Sequence, residues 1–127
     1  MPPADLTEYE QGLIVGVLVG DGHFGGDGRK AQVTLRMHVR HEHLLRWLQE
    51  RLPRSRLYGP YDHGDRHYFQ WMMRGRALSE DLLPLLERAV HPEFDAHVRE
   101  RLATMRERYP AAFGASAAQA RQADDPA

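Results

Sequence analysis

The sequence predicts an α+β domain in the order αββαββα: a four-stranded antiparallel sheet with helices on one face. Three observations carry this. Residues 31–39 alternate strictly, with Ala31, Val33, Leu35, Met37 and Val39 on one side and Gln32, Thr34, Arg36 and His38 on the other. That period of two belongs to a strand with one face buried. Two further strand-like runs, 56–61 and 66–73, flank the turn-forming Asp62-His63-Gly64-Asp65 and predict a hairpin. Between and around the strand pairs, leucines recur at helical spacing.

The elements follow in order. After a short lead containing Pro2 and Pro3, Thr7 with Glu10 three residues on forms a capping-box signature for a helix ending near Gly20. The glycine-rich passage 23–28 suits a short strand and a turn at Asp27-Gly28. Residues 42–52 predict a helix with Leu44, Leu45, Trp47, Leu48 and Leu52 inward, stopped at Pro53. In the hairpin, Phe69 and Trp71 are expected in the core, and Asp62 and Asp65 are expected as turn residues. Ser79 followed by Glu80 and Asp81 is expected to open a helix carrying Leu82, Leu83, Leu85 and Leu86, although Pro84 falls deep for that cap. Pro92 suits a first helical position, and Phe94, Val98, Leu102 and Met105 predict an amphipathic helix to about Tyr109. The domain is expected to span 1–110, with a disordered Ala/Gln/Ser-rich tail over 111–127.

The first helix is the most informative stretch. It is nearly all apolar, sets glycines at 12, 16 and 20, and ends on Asp21. Each glycine in a helix interior costs about 1 kcal/mol relative to alanine, so three in phase need a packing reason. Spacing of four places Gly12, Gly16 and Gly20 on one face, where a second helix backbone can approach closely. Spacing alone equally suits a buried helix pair without chemistry. The apolar run 13–19 is far short of the roughly 18 residues of a membrane span, and Gly20-Asp21-Gly22 lacks the lysine of a phosphate loop.

With 127 residues and no cysteine, the chain is one domain without disulfides or thiolate metal sites. No secretory leader pattern precedes the first helix, so a cytoplasmic location is expected, nucleoid-associated in a bacterium. The net charge is −1, but it is segregated. Arg29, Lys30, Arg36 and Arg40 occur without an acid, and Arg51, Arg54, Arg56, Arg66, Arg74 and Arg76 accompany only Asp62 and Asp65. Each stretch is net positive by four charges, and a local positive face is what phosphates respond to. An open polar sheet face lined by Gln32, Thr34, Arg36 and His38, with Arg40, Arg66, Tyr68 and Gln70 beside them, suits a major groove, where Arg and Gln pair with base edges. His38, His41, His43, His63 and His67 invite a metal reading, but the predicted elements do not converge them and no cysteine completes a set.

Taken together, Ile14-Val15-Gly16-Val17-Leu18-Val19-Gly20-Asp21-Gly22 and the strand–helix pattern from Gln32 to Leu52 resemble the single-motif LAGLIDADG homing endonucleases. The resemblance covers roughly residues 8–90. It implies a homodimer packed through Gly12, Gly16 and Gly20, a contact that needs the same small face on both partners. It implies that each protomer brings Asp21 and the Gly20 carbonyl to Mg²⁺ or another divalent cation at double-stranded DNA. It places His41 where the family positions water, as a second catalytic residue. The family's basic residue in the second half of the domain has no lysine to match it; Arg88 and His91 are the substitutes at hand. The implied function is a metal-dependent endonuclease cutting a long pseudo-palindromic duplex site. The alternatives are a non-cleaving DNA-binding regulator on the same scaffold and a small interaction module whose glycine helix merely dimerises.

Overall fold

The computed structural model describes residues 5–113. Helix α1 (Glu8–Asp21) opens on a complete capping box: Thr7 accepts from the Glu10 N–H, and the Glu10 carboxylate accepts from the Thr7 N–H. It runs directly into β1 (Gly22–Gly26), which pairs antiparallel with β2 (Ala31–His38). A 3-10 turn, Val39–His41, leads to α2 (Glu42–Arg51), then β3 (Arg56–His63) and β4 (Arg66–Arg74). The strand order is β1-β2-β4-β3, with neighbours antiparallel throughout, as expected from the sequence. The predicted fold class therefore stands.

Parity divides the sheet. Ala31, Val33 and Leu35 of β2 and Phe69, Trp71 and Met73 of β4 are buried against the helices. From α1 come Ile14, Val15 and Leu18, and from α2 Leu45 and Leu48, while Leu44 and Trp47 are half-buried. The opposite sheet face carries no buried side chain. No described helix is long and apolar enough to cross a membrane.

The second half departs from the sequence reading in four places. Helical structure begins at Gly75, not Ser79: α3 (Gly75–Ala77) passes through a π turn, Leu78–Leu82, into α4 (Leu83–Ala89). The wide turn, closed by the Leu83 N–H on the Leu78 carbonyl, sits immediately before Pro84, which has no N–H to give an ordinary helix. Ser79 donates to the Arg76 carbonyl instead of capping. Pro92 lies in a turn, and α5 (Ala96–Arg108) starts later than expected. Side chains compete with helix there: Asp95 accepts from the His91 N–H, and His91 Nδ1 accepts from the Glu93 and Phe94 N–H groups. Phe94, expected on the buried face, stacks on His91 and is 82% exposed. Asp62 belongs to β3, where it pairs with His67 across the hairpin, and only Gly64-Asp65 turn. Finally, Pro110–Phe113 form a 3-10 turn and Phe113 is buried, so the core extends past 110. The remainder of the expected tail, 114–127, and the lead at Pro2 and Pro3 lie outside the described residues.

One ion pair ties the hairpin side to this helical segment. Arg54 donates to both Asp81 carboxylate oxygens at 2.8 Å and to Glu80 at 2.9 Å. Burial works to raise the Asp81 pKa, but opposing hydrogen bonds and positive charge, those of Arg54 foremost among them, hold it below the ordinary aspartate value. A depressed carboxylate stabilises the fold above its unfolded pKa, and the contribution is lost as pH falls through the folded one. Asp81→Asn is expected to lower unfolding stability by about 2 kcal/mol at neutral pH, the low end for breaking a buried pair because Arg54 is half-exposed. Urea titrations of both proteins should show that difference closing below the ordinary aspartate pKa. A gap that persists unchanged in strong acid would refute the assignment.

Candidate DNA interface and acidic helix end

The glycine stripe is bare. Gly12, Gly16 and Gly20 are exposed, and a Cβ built at any of them meets nothing within 4 Å. The protomer's own packing therefore gives no reason for glycine at these positions. A shallow groove along the stripe is lined by Gly12, Val15, Gly16 and Val19 of α1 and by Ala89 and Asp95.

Asp21 ends this helix, exposed and without a hydrogen bond or ion pair among the described residues. Gly22 makes the geometry. Its N–H closes the helix on the Leu18 carbonyl, and a Cβ there would stand 2.5 Å from that same oxygen. Because Gly22 pairs with Leu35, Asp21 is delivered at the level of Arg36 on the sheet. His41 lies three residues past the end of β2, exposed, at the N-terminus of α2. Among the described residues no three His, Cys, Asp or Glu side chains gather as a metal site, so the five histidines do not form one.

The open sheet face assembles most of the residues expected to meet DNA. Gln32, Thr34, Arg36 and His38 of β2 face the same side as Arg66, Tyr68 and Gln70 of β4. Arg36 Nε donates to Gln70 Oε1 at 2.9 Å, and its guanidinium lies 5.7 Å from the Tyr68 ring centre. His63 stacks on the Tyr68 ring at 5.9 Å, and Tyr61 tilts against it at 5.4 Å. His38 Nδ1 accepts from the Arg40 N–H. Partial desolvation, then the positive fields of Arg40, His67 and His41, hold the His38 pKa below its ordinary value. Arg40 itself stands in the 3-10 turn, beside the sheet instead of on it.

Charge is sorted more finely than the sequence suggested. Arg51 is bound to Glu10 at 3.1 Å and to Asp5 at 3.8 Å, Arg54 to Asp81, and Arg76 to Glu80 at 3.2 Å. Those three arginines of the basic stretch therefore serve the scaffold. Arg36, Arg40, Arg56 and Arg66 have no acidic partner among the described residues. The turn after β1 adds two more cations. Asp27 accepts from the N–H groups of Arg29 and Lys30, and the Tyr109 hydroxyl accepts from the Gly28 N–H, so α5 holds the turn in place.

Arg56, Tyr58, Tyr61 and Met72, outside the set expected to meet duplex DNA, also line this face. Tyr58 and Tyr61, three apart, fall on opposite faces of a regular strand. A bulge between them, with Gly59 at φ 113°, puts both beside open-face residues of β4. The Gly-Pro pair at 59–60 was the available signal. The basic substitutes do not reach the acidic helix end: Arg88 donates to Gln11 at 3.0 Å, and His91 is bonded to Asp95. Gln11 precedes Asp21 by ten residues, about 15 Å along a helix.

No family model and no curated protein matches the chain. Solved structures do. The chain resembles the group I intron-encoded homing endonuclease I-CeuI, complexed with DNA, at a TM-score of 0.65 and 16% identity over 82% of this chain and 55% of that one. It resembles the homing endonuclease I-TnaI at 0.58 and 16% identity, over 77% and 74% of the two chains. The meganuclease I-SmaMI, bound to uncleavable DNA, gives 0.56 at 10% identity over 89% and 42%. The chain thus spans about half the length of the I-CeuI and I-SmaMI chains. The expected resemblance holds at the level these identities support: the chain has the fold of these homing endonucleases.

Gly22→Ala is expected to destabilise the protein by about 1–3 kcal/mol through its collision with the Leu18 carbonyl. Thermal unfolding checks this, and an unchanged melting temperature would contradict the packing described at the helix end.

Proposed function

We propose that two copies of this chain pair through Gly12, Gly16 and Gly20 to form a divalent-metal-dependent DNA endonuclease that recognises a long pseudo-palindromic duplex. The observation that carries the reading is the bare glycine face ending on an exposed, unpartnered Asp21. An isologous contact along that face brings two carboxylates to one twofold axis, which a single protomer cannot do. The open sheet face, with its uncommitted arginines, supports a duplex partner, as does the fold shared with structures complexed with DNA.

The residues fit a hard cation. Asp21 offers a free carboxylate and Gly20 a backbone carbonyl, the oxygen donors that Mg²⁺ prefers. A divalent cation held by Asp21 and the Gly20 carbonyl would supply activation of a water and neutralisation of charge on the departing oxygen of a phosphodiester. Asp21 holds it in place, the sheet face fixes the register of the strand to be cut, and His41 assists in orienting water.

Asp21→Asn is expected to abolish cleavage while largely preserving specific binding, read by a cleavage assay beside a gel-shift titration. Full nuclease activity in that variant would sink the assignment. Gly16→Leu is expected to leave the protomer folded, since a Cβ there meets nothing within 4 Å, and to abolish the dimer in sedimentation experiments. A dimer that survives this change would exclude the stripe as the interface.

A non-cleaving DNA-binding protein on the same scaffold is the second reading. It is favoured by Arg88 being held by Gln11 at the opposite end of α1 from Asp21. Incubation with a plasmid library and Mg²⁺, followed by sequencing of ends, separates the two readings by the presence or absence of defined breaks.

A further inference from the structure

The Arg36–Gln70 pair has a chemical polarity that bears on which base it reads. The two residues are directly opposed in the β2–β4 register, at the sheet level where Asp21 is delivered. Arginine has only donors, so the Nε contact at 2.9 Å fixes which end of the Gln70 amide faces it: the carbonyl oxygen. That commitment turns the Gln70 NH₂ group away as a donor. The two terminal nitrogens of Arg36 are likewise donors, and no acidic group among the described residues engages them. Tyr68 lies beside the guanidinium at 5.7 Å and is itself stacked by His63 at 5.9 Å, so the fork is held before any ligand arrives.

A glutamine free at both ends reads adenine, accepting from N6 and donating to N7. This glutamine has one of its carbonyl's two lone pairs taken by Arg36, whose positive charge disfavours bringing the adenine N6 donor to the same oxygen. Guanine offers two acceptors, O6 and N7, in the same groove. From this predominantly donor surface we infer that the Arg36–Gln70 unit selects guanine, through the terminal fork of Arg36, at one defined position in each half of the duplex target. The inference rests on the DNA-binding and pairing parts of the proposed function and is independent of cleavage. Because the pair is built in advance, less side-chain freedom is lost on docking, and discrimination against adenine at that position is expected to be roughly 10- to 100-fold.

The test is binding selection from a random duplex library, with the full chain and without Mg²⁺, followed by sequencing. The wild type should enrich a motif with one guanine per half whose replacement by adenine weakens binding. Arg36→Ala frees the Gln70 carbonyl, so the same position should lose guanine and turn toward adenine. Arg36→Lys keeps the charge and lacks the planar fork; it should retain salt-dependent affinity and lose the guanine preference. An enriched motif that stays the same at every position in both variants overturns the inference while leaving DNA binding intact. Failure of folded wild type to enrich any motif overturns both the inference and the DNA-binding reading.

Discussion

Asp21 and Gly22 are neighbours with opposite backbone geometry: one closes a helix, the other opens a strand, and no loop separates them. The junction works only because nothing projects from residue 22 toward the Leu18 carbonyl. Its consequence is positional. The direction of α1, its bare face and the carboxylate at its foot are all locked to the sheet through the Gly22–Leu35 pairing. A flexible connection would leave the acid and the polar sheet face independent of each other. With the rigid junction, anything that engages one is placed in fixed register with the other.

Much of this arrangement was legible in the residues, for identifiable reasons. The capping box at Thr7 and Glu10 is a local device and formed as expected. The alternation from Ala31 to His38 is also local, because each face of β2 meets a uniform environment. Phe69 and Trp71 were correctly assigned to the core by the same parity. What escaped was whatever depends on a distant partner or an interruption of period. The bulge at Gly59 reverses parity within β3, so Tyr61 changes sides relative to a simple count. The π turn before Pro84 lets a helix continue through a residue that should have marked its start. The His91–Asp95 turn replaces helical bonds with side-chain ones and leaves Phe94 outside.

Charge gave the least reliable sequence signal. Ten cations lie in the two basic stretches, yet their roles differ entirely according to the neighbours the fold supplies. Arg51 and Arg54 join helices to the rest of the scaffold through carboxylates many residues away. Arg36 and Arg66 face the open side of the sheet without an acid. A nearly neutral chain thus sets arginines without acidic partners on one face, while Glu10, Glu80 and Asp81 hold other arginines of the basic stretches in the scaffold. Net charge alone would have argued against a nucleic-acid ligand; its spatial sorting supports one.

The Tyr109 ring lies against Gly26, and its hydroxyl reaches Gly28, 81 residues earlier in the chain. Strand β1 is an edge of the sheet, and this aromatic is part of its covering. On the ribosome, Arg29 and Lys30 emerge long before the residue that steadies their turn. Until Tyr109 has cleared the exit tunnel, the nascent polypeptide carries an unfinished sheet margin beside its acidic helix end. Synthesis order therefore makes completion of the basic turn a late event, whatever the order in which the remaining strands assemble.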